Sequence, residues 1–244
     1  MIQCYDNIIQ LADFLLQFDI SINSNDTLKI NVLPDHYGLI KVSGSDATKF
    51  LQTQLTCDIN YISEQLSLGA ICNIQGRVEY VFKIYKLDND FYIQIIKEQL
   101  LPMINNLSKY ILRSKIVLQE INQTKNQRHN SLLWRIQQIA QKTPEVYLTT
   151  SGKFLPHNIN LIQLGAISLN KGCYKGQSII NRMHCLGKNK KELKIVSILN
   201  NEKILMPGDI LNNNIIIVES VTINHNYQLA LVEAPIELNE NNII

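Results

Sequence analysis

The chain has 244 residues, yet only five cysteines and one tryptophan, and no two cysteines form a C-x-x-C pair. An odd, scattered set (Cys4, Cys57, Cys72, Cys173, Cys185) excludes a disulfide framework and a structural zinc ribbon. Such thiols read as reduced, which fits a cytoplasmic protein. Also missing is any uninterrupted apolar run of about 18 residues, the length of a membrane-spanning helix. The opening stretch, residues 1–20, carries Asp6, Asp13 and Asp19 and no basic leader, so it reads as an amphipathic or core segment rather than a signal peptide. Neither sign of charge dominates: 23 basic against 21 acidic side chains give a formal net charge of +2. A dedicated nucleic-acid binder, with its basic domain or stripe, is thereby disfavoured. With 45% hydrophobic and 18% charged residues, the chain can bury a core and is not disordered. Its length suits one large domain or two to three small ones.

Short β-rich runs at 28–33 and 38–43 flank the turn Pro34-Asp35-His36-Tyr37. Gly44-Ser45-Asp46 then opens a helical pattern, with Ser45 or Asp46 as cap and Phe50, Leu51 and Leu55 on one face. Strands follow at 70–74, 78–87 and 91–96, separated by the turn signals Gln75-Gly76-Arg77 and Asp88-Asn89-Asp90. A helix over 98–112, interrupted early by Pro102, leads to a strand at 115–121. Residues 122–130 read as a loop, 131–141 as a helix. The last fifty residues carry strands at 193–199, 215–222 and 228–234, with turns at 207–209 and 212–214. These features define an α+β chain with a ferredoxin-like unit over 68–122 and a small C-terminal β-barrel over 191–244.

One segment carries chemistry: Lys171-Gly172-Cys173-Tyr174-Lys175-Gly176-Gln177, just before a helical run from Ser178 to Met183. Glycines admit a tight backbone and close ligand approach. Two lysines and a helix N-terminus would favour thiolate over thiol. The competing reading is a turn around a small buried apolar cysteine. A metal reading of Cys173, His184 and Cys185 matches no zinc spacing, so no metal is expected. A Cys173–His184 nucleophilic dyad would require a spatial contact. His36, His129, His157 and His225 read as loop or satisfied core residues. Lys188, Lys190, Lys191 and Lys194 form a basic cluster: a solvated face or a rim steering an anionic ligand. Tyr80, Trp134 and Tyr174 suit either core packing or stacking on a flat heterocycle.

The string KGCY-x-GQ resembles the signature of the YgfZ family, folate-binding proteins related to the T-protein (aminomethyltransferase) of glycine cleavage. The similarity extends to Phe154-Leu155-Pro156, to Asn158-Ile159-Asn160 through Ile167, and to Val42-Ser43-Gly44-Ser45-Asp46-Ala47 with Phe50-Leu51-Gln52 and Leu55-Thr56-Cys57-Asp58. Cys72-Asn73 with Gly76-Arg77 falls at the family's Gly-containing hairpin, and Trp134-Arg135-Ile136 at its Arg helix. It thus covers most of residues 38–190. Two departures stand out: Ser178 replaces the family's Glu after Gln177, and no glycine follows the Trp134-Arg135 block.

The resemblance implies small α+β domains around a central folate cavity. It places a folate-binding region of two intertwined subdomains at 1–190. It implies tetrahydrofolate or a derivative as ligand, with Cys173 as the functional thiol and Lys171 and Lys175 tuning it. Asn73, Arg77, Arg135, Gln137, Tyr174 and Gln177 become the candidates for binding folate. The implied role is an accessory protein that supports iron–sulfur enzymes, including tRNA-modifying ones, with assembly or client proteins as partners. Direct nucleic-acid or membrane binding is not expected. The T-protein carries acidic residues just after its Gly pair, whereas this chain has Tyr80 and Val81 there, with Glu79 one position off and turned to the other face by strand alternation. Gln137 likewise stands where the T-protein has its pterin-binding Glu. Aminomethyl transfer is disfavoured, and a scaffold with a vestigial cavity is the remaining alternative.

Overall fold

A computed structural model describes residues 2–5, 7–22, 33–122, 131–187, 189–199, 204–211 and 214–237. Most of the expected 28–33 strand, the 123–130 loop, Lys188 and His129 lie outside them. Two five-stranded antiparallel sheets organise the chain. The first has the order β3-β4-β5-β2-β6: β2 (Tyr37–Ser43), β3 (Ser67–Cys72), β4 (Val78–Leu87), β5 (Asp90–Ile96) and β6 (Val117–Ile121). It therefore draws β2 from outside 68–122. Helices α2 (Ala47–Gln54) and α3 (Lys97–Ser108) supply Phe50, Leu51, Leu100 and Met103 to its core. Pro102 sits inside α3 and does not end it.

The turns follow local chemistry. Gly44 has φ +114°, and a Cβ there would meet the Lys115 carbonyl oxygen at 2.0 Å, so only glycine fits. Asp46 stands at the cap position of α2, but its carboxylate accepts from the Lys115 N–H at 2.7 Å instead of capping the helix. The helix is thereby pinned to the approach to β6.

The second sheet has the order β1-β7-β10-β9-β8, from β1 (Ile2–Tyr5), β7 (Lys191–Leu199), β8 (Ile210–Leu211), β9 (Ile215–Thr222) and β10 (Tyr227–Pro235). Among the described residues no ladder joins β8 to β1. The sheet is a curled half-barrel, where the sequence texture suggested a closed barrel. Helix α1 (Ile8–Leu16), capped by the Asn7 side chain, packs Leu11, Phe14 and Leu15 into the core beneath this sheet. Helix α4 (Ser131–Ala140) buries Ile136 and Ile139 in the same core.

Strand β4 divides the two main cores. Val78 and Val81 pack with the helix-covered side of the second sheet, while Tyr80, Phe82 and Ile84 pack with α2 and α3. Cys72 pairs with Val78 while Ile71 pairs with Tyr80, so Glu79 is the extra residue of a β-bulge. Strict alternation would turn Glu79 away by period 2; the bulge interrupts that alternation at this residue. Between α4 and α5 (Gln177–Leu186) the chain runs through turns without helix or strand, and this stretch carries the site.

Candidate functional site

The loop before α5 faces alternately inward and outward. Lys171 is buried, and its ammonium donates to the carbonyls of Leu55 at 2.8 Å and Cys57 at 2.7 Å. Tyr174 is buried too, and its hydroxyl donates to the Ser168 carbonyl. Gly172 and Cys173 between them are exposed. The Gln177 amide closes the loop on the Lys171 carbonyl at 3.1 Å. Inward anchors on either side thus fix an outward thiol.

A second turn braces the loop. Asn73 accepts from the Gly76 N–H through its carbonyl, and from the Gln75 and Arg77 N–H groups through its side chain. This side chain-to-backbone pattern is what favours Asn at tight turns. Gly176 has φ +84°, and a Cβ there would lie 2.4 Å from the Asn73 carbonyl oxygen, so the two turns are in backbone contact. Arg77 is exposed and donates to the Lys153 carbonyl. Lys175 lies 3.6 Å from the bulged Glu79 and 5.3 Å from the Tyr110 ring centroid.

Both lysines of the motif therefore direct their ammonium groups to partners other than the thiol. Those contacts hold the loop in shape. Burial lowers Lys171 to about 8. Cys57 and Cys72, by contrast, are pushed by burial to about 11 and about 12. They are inert at neutral pH, and Cys173 and Cys185 are the exposed cysteines.

A cavity of about 510 Å³ lies elsewhere, lined by residues that include Asp35, His36, Glu98, Arg135, Tyr147 and Met206. Arg135 donates to the Glu219 carboxylate and to the Ser220 carbonyl, and the Tyr147 hydroxyl donates to the same carboxylate. This cluster ties α4 to β9. Behind it the Tyr37 hydroxyl donates to the buried Glu145, and the Lys83 ammonium donates to Gln138 at 2.9 Å. Lys83 also lies 4.4 Å from the Trp134 ring centroid, a cation–π contact in a desolvated setting. His36, Tyr37 and Trp134 form an edge-to-face trio with centroids 5.0–5.1 Å apart.

Four buried polar atoms at this place lack a protein partner: both His36 nitrogens, Trp134 Nε1 and Arg135 Nε. Burial, with the charges of Arg135, Lys83 and Lys97, lowers His36 to about 4. A lowered folded value means the unfolded chain takes up the proton first, so this residue removes stability as pH falls from about 6.5 to about 4. Replacing His36 by Gln should therefore flatten the loss of stability between pH 7 and pH 5. Urea midpoints of both proteins at the two pH values check this; equal slopes would remove His36 from the acid response.

The candidates thus fall into two groups. Asn73, Arg77, Lys171, Cys173, Tyr174, Lys175 and Gln177 come together around the two turns. Arg135 belongs to the cavity, and Gln137, half-buried on α4, stands beside it in sequence. Sequence reasoning missed Tyr37, Lys83, Gln138, Glu145, Tyr147 and Glu219. A charged residue inside the apolar run of β4 was the available signal for Lys83. Of the basic cluster, Lys191 pairs with the buried Glu233 at 3.0 Å and Lys194 with Glu192 at 3.5 Å.

In class, this is an α+β protein with a T-protein-like fold. The aminomethyltransferase T of the glycine cleavage system from Bartonella henselae aligns with a TM-score of 0.59 over 82% of this chain and 76% of its own, at 10% identity. No family model matches the chain. Its sequence relatives are more particular, and they make the chain YgfZ-like. The tRNA-modifying protein YgfZ of Buchnera aphidicola subsp. Schizaphis graminum is 28% identical, covering 69% of this chain and 73% of its own. That of Colwellia psychrerythraea is 24% identical, covering 64% and 68%. An uncharacterized protein of Haemophilus influenzae is 26% identical, covering 68% and 73%.

Proposed function

We propose that this chain is a cytoplasmic, folate-binding accessory protein that supports iron–sulfur enzymes, among them enzymes that modify tRNA, with Cys173 as its working thiol. The observation that carries the reading is the outward Cys173, held between the inward anchors Lys171 and Tyr174. A thiol kept at the surface by its neighbours is available to a partner, which a core cysteine is not.

The cavity fits the ligand half of the proposal. Its volume falls within the range of about 300–1,000 Å³ typical of small-molecule sites. Orphaned donors and acceptors beside an aromatic trio suit a flat heterocycle with polar edges, such as a pterin. His36, Trp134 and Arg135 would hold it, and the folate would supply one-carbon chemistry when bound. In this reading the small α+β subdomains and the half-barrel, which takes β1 from residues 2–5 besides β7 to β10, surround the cavity. Tyr80 and Val81 stand where the T-protein has its acids, which favours binding over aminomethyl transfer.

The test is rescue of iron–sulfur enzyme activity in a strain lacking its own YgfZ. The wild-type chain should restore activity, and Cys173→Ala should restore less than a tenth of it while folding normally. Full rescue by that variant would overturn the thiol's role. Absence of tetrahydrofolate binding at high micromolar ligand would overturn the folate half, and turnover of an aminomethyl donor would replace the accessory reading with a transferase.

A further inference from the structure

His157 is 6% exposed, and neither of its ring nitrogens has a protein partner. A buried imidazole left without a hydrogen bond is an exception that calls for an explanation. The sequence read it as a loop or satisfied core residue; it lies in a turn, buried but not satisfied. Its ring centroid lies 6.0 Å from that of His184, on the last turn of α5, with the planes inclined by 32°. Asn181 stands one turn earlier on α5, the spacing that puts two side chains on one helix face, and its amide oxygen is also buried without a partner.

We propose that His157 and His184, with the Asn181 amide oxygen, bind one divalent transition-metal ion. Imidazole nitrogen is a ligand for zinc, nickel and copper, whereas magnesium and calcium take oxygen donors. With metal–nitrogen distances of about 2.0–2.1 Å, two imidazoles sharing an ion have centroids roughly 5–6.5 Å apart, and the observed pair falls in that range. The donor must be the neutral imidazole. Among the described residues no cluster of three His, Cys, Asp or Glu side chains exists, so the site is a two-imidazole chelate whose remaining positions go to the amide oxygen and water.

The site is independent of the folate reading. It joins the turn-rich stretch that carries His157 to α5, the two segments that meet at the Cys173 loop. Its metal is therefore a staple across that junction rather than a reacting centre.

The test uses Ni²⁺ and the full chain carrying Cys173→Ser and Cys185→Ser, so that exposed thiols do not compete. Calorimetric titration should show one ion per chain. His184→Ala, at an exposed position, should weaken binding at least about tenfold, and His157→Gln likewise. A Ni²⁺-dependent rise in Tm should accompany binding and vanish in His184→Ala. No binding at about 1 mM Ni²⁺ would overturn the proposal. So would affinity unchanged by His184→Ala.

Discussion

Replacing Lys83 by Met should lower the free energy of unfolding by about 3–5 kcal/mol, the usual cost of removing one partner of a buried charge pair. Lys83 is buried, donates to Gln138 and stands over Trp134. Its charge favours the ionised form of Glu145, which burial otherwise drives toward protonation, and burial drives the Lys83 amine toward neutrality. Without the ammonium, Glu145 keeps the Tyr37 hydroxyl and the charge of Arg135, and Gln138 loses its donor. The same substitution made together with Glu145→Leu should recover most of the loss, because an apolar pair needs no solvation. Urea unfolding of the two single variants and the double variant measures this. Additive losses in the double variant would mean that the two residues are not coupled.

Lys171→Met should cost about 3–6 kcal/mol, since hydrogen bonds to a charged donor are worth about 1.5–3 kcal/mol each and two carbonyls lose theirs. The loss has a functional face. With Leu55 and Cys57 no longer holding the loop, Cys173 is released from its outward position although the thiol is still present. Rescue by Lys171→Met should therefore fall toward that of Cys173→Ala. Hydrogen exchange should show faster opening across residues 171–177. Stability within about 0.5 kcal/mol of the parent protein would show the two bonds to be dispensable.

How much of this was legible in the sequence depended on the range of the interaction. The turn at Asn73–Gly76 is encoded by its own four residues, so turn chemistry alone located it. The loop at 171–177 announced itself by motif, and its residues lie together around the two turns. Distant contacts decided the rest. Asp46 has the composition of a cap, yet the Lys115 N–H claims its carboxylate. On α4 the resemblance drew attention to Gln137, while Gln138 is the residue buried against Lys83, because the position of β4 settles which face turns inward. Glu145 and Tyr147 lie in a stretch without periodicity, where no pattern marks a buried acid. A one-residue bulge at Glu79 is likewise invisible to a rule of strict alternation.

The pairing of Ile2 with Ile198 has a consequence for biosynthesis. Strand β1 is made nearly two hundred residues before β7, its only ladder partner among the described residues. At about 5–20 residues per second, that interval is roughly ten to forty seconds. Throughout it β1 waits without that partner. The second sheet can take in β1 only after residues 171–199 have been made, so the outward thiol is synthesised before that strand can dock.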